Sequence, residues 1–407
     1  EGSLTSITAA SLPPGLKSFY LYLHPLISIS EDAFDASATT LKSVTIDTAQ
    51  LKSIPTALKK LTNLTDIYLE HVPIQEWDAA TLKQIATTLE SLELRNMGLS
   101  AWPSWISDFR LLRKIDLLSN DLKYIPDDAF NSVKNILIYL DLSSTGLTQV
   151  PNALSTLLNL NTLDLSNNNF TDVLQVEKLS GAPFAPKLSY LYLDSCGLTG
   201  VANFSNFSNL TILRLTSNRL SDIPAHSLPT SLTALHLSDN SLLNVPEDIA
   251  SMPSLFTLVL SDNFITNVES NSFPSSLEYL DLGFNNLTII TNTTFRNLNL
   301  LSSLYMDRNP ISTIAPEAFS DLVSLRTLSL VDSQLTEIPL AFTLLSSSTW
   351  VFLSMSQPVA CPFPIPHQLI QWFCSLSYYS YIEATCINGQ AVYTYLIDYC
   401  QQTATTP

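Results

Sequence analysis

The stretch LTILRLTSNRLSDI, residues 210–223, decides the architecture. Leu210, Leu213, Leu215, Leu220 and Ile223 fill the apolar places of the frame L-x-x-L-x-L-x-x-N-x-L-x-x-I, and Asn218 fills its one polar place. The frame returns as LTALHLSDNSLLNV from Leu232, LFTLVLSDNFITNV from Leu255, LEYLDLGFNNLTII from Leu277 and LSSLYMDRNPISTI from Leu301. Further copies begin at Leu16, Leu41, Leu64, Leu89, Leu112, Leu137, Leu160, Leu188 and Leu325; the thirteen steps from Leu16 to Leu325 cover 309 residues, about 24 each. One unit of this size cannot bury its apolar side alone, so the copies must stack on one another as a solenoid.

Within each copy, x-x-L-x-L-x-x alternates with period two, which predicts a short strand with its leucines facing inward. Stacked copies place these strands side by side in one parallel sheet. After the strand the chain turns, and a buried Asn amide at that turn can satisfy loop backbone with both its donors and its acceptor. Asn120, Asn168, Asn218, Asn240, Asn263, Asn285 and Asn309 hold the place; Thr145, Cys196 and Ser333 are small substitutes. Ala49, Val72 and Met97 cannot do this job, so looser loops are expected in the N-terminal third. The return half reads IPDDAF at 125–130, VESNSF at 268–273 and IAPEAF at 314–319, and Phe130, Phe273, Phe295 and Phe319 should stack beneath the outer side. Pro55, Pro103, Pro126, Pro151, Pro224, Pro246 and Pro339 favour extended backbone before that return.

Fourteen copies in phase resemble the leucine-rich repeat family over nearly the whole chain. Copies closing on Phe are similar to those of animal Toll-like receptors and small proteoglycans. The shorter SLPTSLTAL, SFPSSLEYL and SLPPGLKSF variants resemble leucine-rich repeat proteins of protists. The resemblance implies an α/β solenoid: a curved horseshoe with a parallel concave β-sheet and an irregular or 3-10 convex side. It divides the chain into a partial repeat at 1–15, about fourteen repeats over 16–348, a last repeat with a cysteine-rich cap over 349–400, and the start of a Thr/Pro linker at 401–407. The chain opens in mid-repeat at LTSITAASLPPGL without a cysteine cap, so either further sequence precedes it or the open end packs on something else.

A solenoid's last apolar layer must be covered. Cys361, Cys374, Cys386 and Cys400, around QLIQWFCSLSYYSYI, look like a disulfide-stapled C-terminal cap. Their spacing departs from the C-x-C start of the common animal cap, so the pairing does not transfer. Zinc is the alternative, though the C-x₂-C pairs that favour it are missing. Cys196, alone at an Asn place, reads as a small buried side chain.

Several functions are excluded or disfavoured by composition. The net charge of −17 and a pI near 4.5 speak against nucleic acid, whose binders cluster Lys and Arg. No apolar run reaches the 18 or so residues of a membrane span. There is no G-x-S-x-G, H-E-x-x-H or phosphate-cradling glycine loop, and nine glycines leave little room for one. The five histidines show no ligand spacing, so neither enzyme activity, metal nor cofactor is expected.

Seven N-x-S/T triplets begin at Asn63, Asn169, Asn203, Asn206, Asn209, Asn286 and Asn292. Three of them fall in NFSNFSNLT, 203–211, where Phe204, Phe207 and Leu210 recur every third residue as on a tight one-sided turn. The phenylalanines should face the core and the asparagines solvent. N-linked glycans are the expectation, with a plain Ser/Asn-rich turn surface as the alternative; glycans imply the secretory route and an extracellular or cell-surface place.

Binding is expected on the concave face, where the x residues of each strand project; over fourteen copies they include 15 Asp/Glu against 8 Lys/Arg. The central x column carries Glu93, Asp116, Asp141 and Asp164 on consecutive strands, roughly 5 Å apart. Such charges repel unless Arg95, Arg113, Lys114 or a cationic partner neutralises them. The plainer reading is that LDLS is a common spelling of this repeat, its Asp solvated and bridged to neighbours. Tyr139, Tyr190 and Tyr192 adjoin the acidic run, and Arg214 and His236 continue the column. These residues point to a non-enzymatic extracellular recognition module, receptor-like or secreted, that binds a protein or peptide ligand, basic ones included. The alternative is a structural or adhesive surface glycoprotein that self-assembles into homo-oligomers or filaments.

Overall fold

A computed structural model describes residues 2–359, 366–376, 381–394, 396–397 and 400. The chain divides into two compact units, residues 1–198 with 206–210 and residues 199–205 with 211–407.

The main sheet of the first unit has eight parallel strands, one per copy: Ser18–Tyr22, Ser43–Asp47, Asp66–Glu70, Ser91–Arg95, Lys114–Asp116, Tyr139–Asp141, Thr162–Asp164 and Tyr190–Tyr192. Their register has no offset: Tyr20, Thr45, Tyr68, Glu93, Asp116, Asp141, Asp164 and Tyr192 are successive partners. The inward leucines on either side of that column are buried, as period two requires. The second unit repeats the arrangement from Ile212–Arg214 through Ala234–His236, Thr257–Val259, Tyr279–Asp281, Ser303–Tyr305, Thr327–Ser333 and Trp350–Met355 to Tyr381–Glu383, all parallel. This is the leucine-rich repeat solenoid that the frame predicts.

The buried asparagines act as expected. Asn120 Oδ1 accepts from the backbone N–H groups of Met97 and Leu99 at 3.1 and 3.0 Å, while its Nδ2 donates to the Leu94 and Leu117 carbonyls at 2.7 and 2.8 Å. Each amide thus ties its own strand end to the turn of the copy before it. Asn168 and Asn263 repeat the pattern. Just before this place the backbone is left-handed in copy after copy, from Leu23 and Thr48 through Ser119 and Asn167 to Arg308 and Asp332. Asn, Asp and His adopt that conformation more readily than bulky or branched residues such as Leu23 and Thr48.

The looser N-terminal loops are not found. Ala49, Val72 and Met97 are buried. The N–H groups of Leu23, Thr48, His71 and Asn96 donate to the Asp47, Glu70, Arg95 and Leu118 carbonyls at 3.1, 2.9, 3.3 and 2.8 Å, the same bond that Asn-bearing copies make from Ser119 to Ser143 and from Asp239 to Ser261, each at 3.0 Å. That backbone bond does not depend on the amide; what sets the first four copies apart is that their strands are five residues long instead of three.

The return segments are mostly 3-10 turns. Thr56–Lys60, Ser104–Asp108, Asn152–Thr156, Glu247–Ser251 and Leu340–Leu344 each follow a proline with φ between −59° and −71° and extended ψ. Two are short α-helices, Ala79–Ile85 and Val173–Ser180, begun by Asp78 and Asp172 side chains that accept first-turn N–H groups. In the second unit Phe295, Phe319 and Phe342 stack at 6.3 and 6.0 Å, and Phe342 meets Trp372 edge-on at 5.4 Å. Phe130 instead meets Trp102, and Phe273 is buried but joins no described ring stack.

Trp372 lies on the helix His367–Ser375, which buries Leu369, Ile370, Trp372 and Phe373. Cys374 of that helix is bonded to Cys400, with Cα atoms 5.7 Å apart. Cys386 is also in a disulfide; Cys361 lies outside the described residues. Cys196 is in none, and burial pushes its thiol up to about 12.

Candidate functional site

The site is built on the outward column of the first unit. A side chain at the central x of L-x-L stands opposite the leucines, and the strands' zero offset aligns Glu93, Asp116, Asp141 and Asp164. The expectation that these carboxylates stand in solvent is corrected. Asp116 is fully buried, Asp141 is 6% exposed, and Glu93 and Asp164 are half-buried.

Two local causes explain this. Each Asp bends to its own turn: the Oδ1 atoms of Asp116, Asp141 and Asp164 accept the backbone N–H two residues on, from Leu118, Ser143 and Ser166, at 3.1, 2.8 and 2.8 Å. Asp281 repeats the bond with Gly283 in the second unit. The Asp of LDLS is therefore a turn-former, and a lysine introduced at position 141 would enter a buried place rather than an exposed one. Second, cationic side chains close over the column. Arg95 reaches Asp116 Oδ2 with Nε and Nη2 at 2.9 and 2.5 Å and Glu93 Oε2 at 3.1 Å, and Lys114 Nζ lies 2.7 Å from Glu93 Oε1. Arg113 pairs instead with Glu90, at 3.9 Å.

Neutralisation stops short of Asp141. Burial, then the charges of Asp116 and Asp164, push its carboxyl up to about 7 against the opposing hydrogen bonds from Ser143. The same apolar packing raises the Tyr139 phenol, with Asp141 and Asp116 adding to it. Arg95 rests over the Tyr68 ring at 5.2 Å and Lys114 Nζ over Tyr139 at 4.9 Å. Such contacts hold the cations against ring faces.

What remains accessible is an aromatic and charged face. Tyr68, Tyr139, Tyr190 and Tyr192 are half-buried, with one part of each ring in contact and the rest open. Tyr190 and Tyr192 sit opposite Thr162 and Asp164. Seven of the nine residues expected to bind, Glu93, Asp116, Tyr139, Asp141, Asp164, Tyr190 and Tyr192, belong to this unit. The other two, Arg214 and His236, are register partners in the second unit. Tyr68 was not singled out by sequence, although its place in the x column two strands before Asp116 was a usable signal. In the second unit exposed Phe256, Phe264 and Phe284 were also missed. Phe284 stands in left-handed backbone with Arg308 over its ring at 4.8 Å.

All seven sequon asparagines, Asn63, Asn169, Asn203, Asn206, Asn209, Asn286 and Asn292, are exposed. Phe204, Phe207 and Leu210 are fully buried. The threefold spacing forms two successive turns rather than a 3-10 helix, and Asn206 Nδ2 donates to the Ser180 carbonyl at 3.3 Å.

Comparison with known proteins agrees with the geometry. The leucine rich repeat family model matches residues 110–170, 253–311 and 275–335. A leucine-rich repeat protein of Leptospira interrogans superposes with a TM-score of 0.64 at 22% identity, covering 89% of this chain and 83% of that one. A chain of the glycosylated Drosophila Toll–Spatzle complex gives 0.66 at 24%, over 86% of this chain; the present chain spans about half of that one, 49%. The plant peptide hormone receptor RGFR1, solved in complex with RGF2, gives 0.59 at 22%, over 90% of this chain and 66% of that one. At these identities the likeness is one of fold. No curated protein matches the chain in sequence.

Proposed function

This chain is a leucine-rich repeat protein, and we propose that it is a non-enzymatic extracellular recognition module that binds a protein or peptide through the outward face of its first unit. The observation that carries the reading is the run of half-buried Tyr68, Tyr139, Tyr190 and Tyr192 beside Glu93, Arg95, Lys114 and Asp164. Tyr and Arg are the residues that concentrate binding energy at protein interfaces, and here Arg95 and Lys114 are already held in place against their carboxylates. Asp116 and Asp141 serve this face from beneath as turn-formers. The seven exposed sequons support a glycosylated protein of the secretory route.

The test places a photo-crosslinking phenylalanine analogue at Tyr190 or Tyr192, and as a control at Tyr124, an exposed residue outside the column. The full chain is then irradiated in medium from its own source. Discrete peptide or protein adducts at 190 and 192 but not at 124 are expected; equal labelling at all three would refute the face.

A second reading is favoured by one observation. Tyr20, Tyr22, Leu23 and Ile27, on and beside the strand Ser18–Tyr22, are each more than half exposed. Apolar side chains along an outer strand invite pairing with more chain, which suits an adhesive protein that self-assembles. Concentration-dependent sedimentation that Tyr20→Lys with Tyr22→Lys abolishes would favour this reading; a monomer at all concentrations would remove it.

A further inference from the structure

Stacking brings together three ligand-bearing side chains that the sequence keeps apart. Asp47 and Glu70 end adjacent strands and are direct partners in register. His71 follows in left-handed backbone, with φ 52°. Its Nδ1 lies 3.3 Å from Asp47 Oδ1 and 4.0 Å from Glu70 Oε1, and one ligand atom from each of the three lies within 4.8 Å of the others. Carboxylates opposite each other on neighbouring strands repel. Among the described residues neither has a Lys or Arg partner; Arg95, next to Glu70 in register, is drawn away to Asp116 and Glu93.

We propose that Asp47, Glu70 and His71 form a binding site for a divalent transition-metal cation of the Zn²⁺ type. One imidazole nitrogen with two carboxylate oxygens suits Zn²⁺ and its first-row neighbours, whereas Ca²⁺ and Mg²⁺ take oxygen alone. Bonds of about 2.0–2.2 Å in a tetrahedron put ligand atoms about 3.4 Å apart. The His71–Asp47 separation is already that, and Glu70 Oε1, 4.0 Å from His71 Nδ1, needs only a side-chain movement to close.

The surroundings hold the ligands in place. Tyr68 Oη donates to Glu70 Oε2, which leaves Oε1 for the metal, and Thr48 Oγ1 donates to Asp47 Oδ1 at 2.9 Å. The Asn96 side-chain amide lies 2.6 Å from His71 Nε2. Turned to present its oxygen, it accepts the Nε2 proton while Nδ1 binds metal, the support that ligating imidazoles usually have. His71 is half-exposed, so water has access to a fourth position. The proposal does not depend on the tyrosine face being a protein-binding site.

The test titrates Zn²⁺ into the tag-free full chain by calorimetry, with Co²⁺ absorbance reporting tetrahedral coordination. One equivalent should bind saturably. His71→Ala, and Asp47→Asn with Glu70→Gln, should each weaken binding at least tenfold. His226→Ala removes an almost fully exposed imidazole near Asp248 and should change nothing. Asn96→Ala keeps all three ligands and should weaken binding about tenfold; it decides the matter should a ligand variant fail its thermal-melt check for folding. No saturable equivalent in the wild type, or wild-type affinity in His71→Ala, overturns the site.

Discussion

Replacing Asp141 by Asn should stabilise the protein at neutral and higher pH and do almost nothing in mild acid. In the folded chain the Asp141 carboxyl is pushed from 3.8 to about 7, first by burial and then by Asp116 and Asp164. The native state therefore keeps a proton that the unfolded chain gives up between about pH 4 and pH 7, and stability falls as pH rises through that window. Roughly three pKa units at 1.36 kcal/mol each amount to about 4 kcal/mol by pH 8. Asn retains the Oδ1 that accepts from Ser143 N and Oγ at 2.8 and 2.5 Å, so the turn keeps its bonds while the charge is removed. Urea unfolding of wild type and Asp141→Asn should give equal stability near pH 4, with a gap opening in favour of Asn above it. A carbon-13 titration of the Asp141 carboxyl, with its midpoint near 7, is the direct check. Stability curves that stay parallel from pH 4 to 8 would refute the argument that this carboxyl is ionised at a cost.

Arg95→Ala strands the fully buried Asp116 without its two guanidinium bonds and should cost about 3–5 kcal/mol in urea unfolding; adding Asp116→Asn should recover part of the loss. Phe319→Ala, between Phe295 and Phe342, should cost about 3–5 kcal/mol, whereas exposed Val323→Ala should cost little. Cys374→Ser opens a link between residues 26 apart and should lower stability by about 3.5 kcal/mol, visible as an earlier thermal transition that the wild type copies under reductant. Mass mapping of natively isolated protein should find glycans at Asn63 and at one or two of the three asparagines in NFSNFSNLT, Asn209 foremost; seven bare asparagines would end the glycoprotein reading.

The repeat frame by itself determined which apolar residues are core, where each strand lies and that the asparagines of the frame are buried. Those features are set within one copy, by the period of two along a strand and the period of about 24 between copies. Asn120 bonds the turn before it because every Asn in that place must, and Phe204 and Phe207 go inward because their neighbours at the same spacing do. What one copy cannot state is what stands beside it. Ala49, Val72 and Met97 read as defects, yet all three are buried and the backbone bonds to the next copy run past them as they do past Asn. Asp141 reads as a surface charge, since its alternation points it outward. It is burial in the assembled sheet, with the acids at 116 and 164 on the flanking strands, that holds its proton. Asp47 and His71 carry no motif, being 24 residues apart, yet lateral stacking leaves their side chains 3.3 Å from each other. Alternation is a local property of the chain and can be read from sequence. Solvation and charge pairing on the outward face are properties of several adjacent strands at once, and only the assembled sheet decides them.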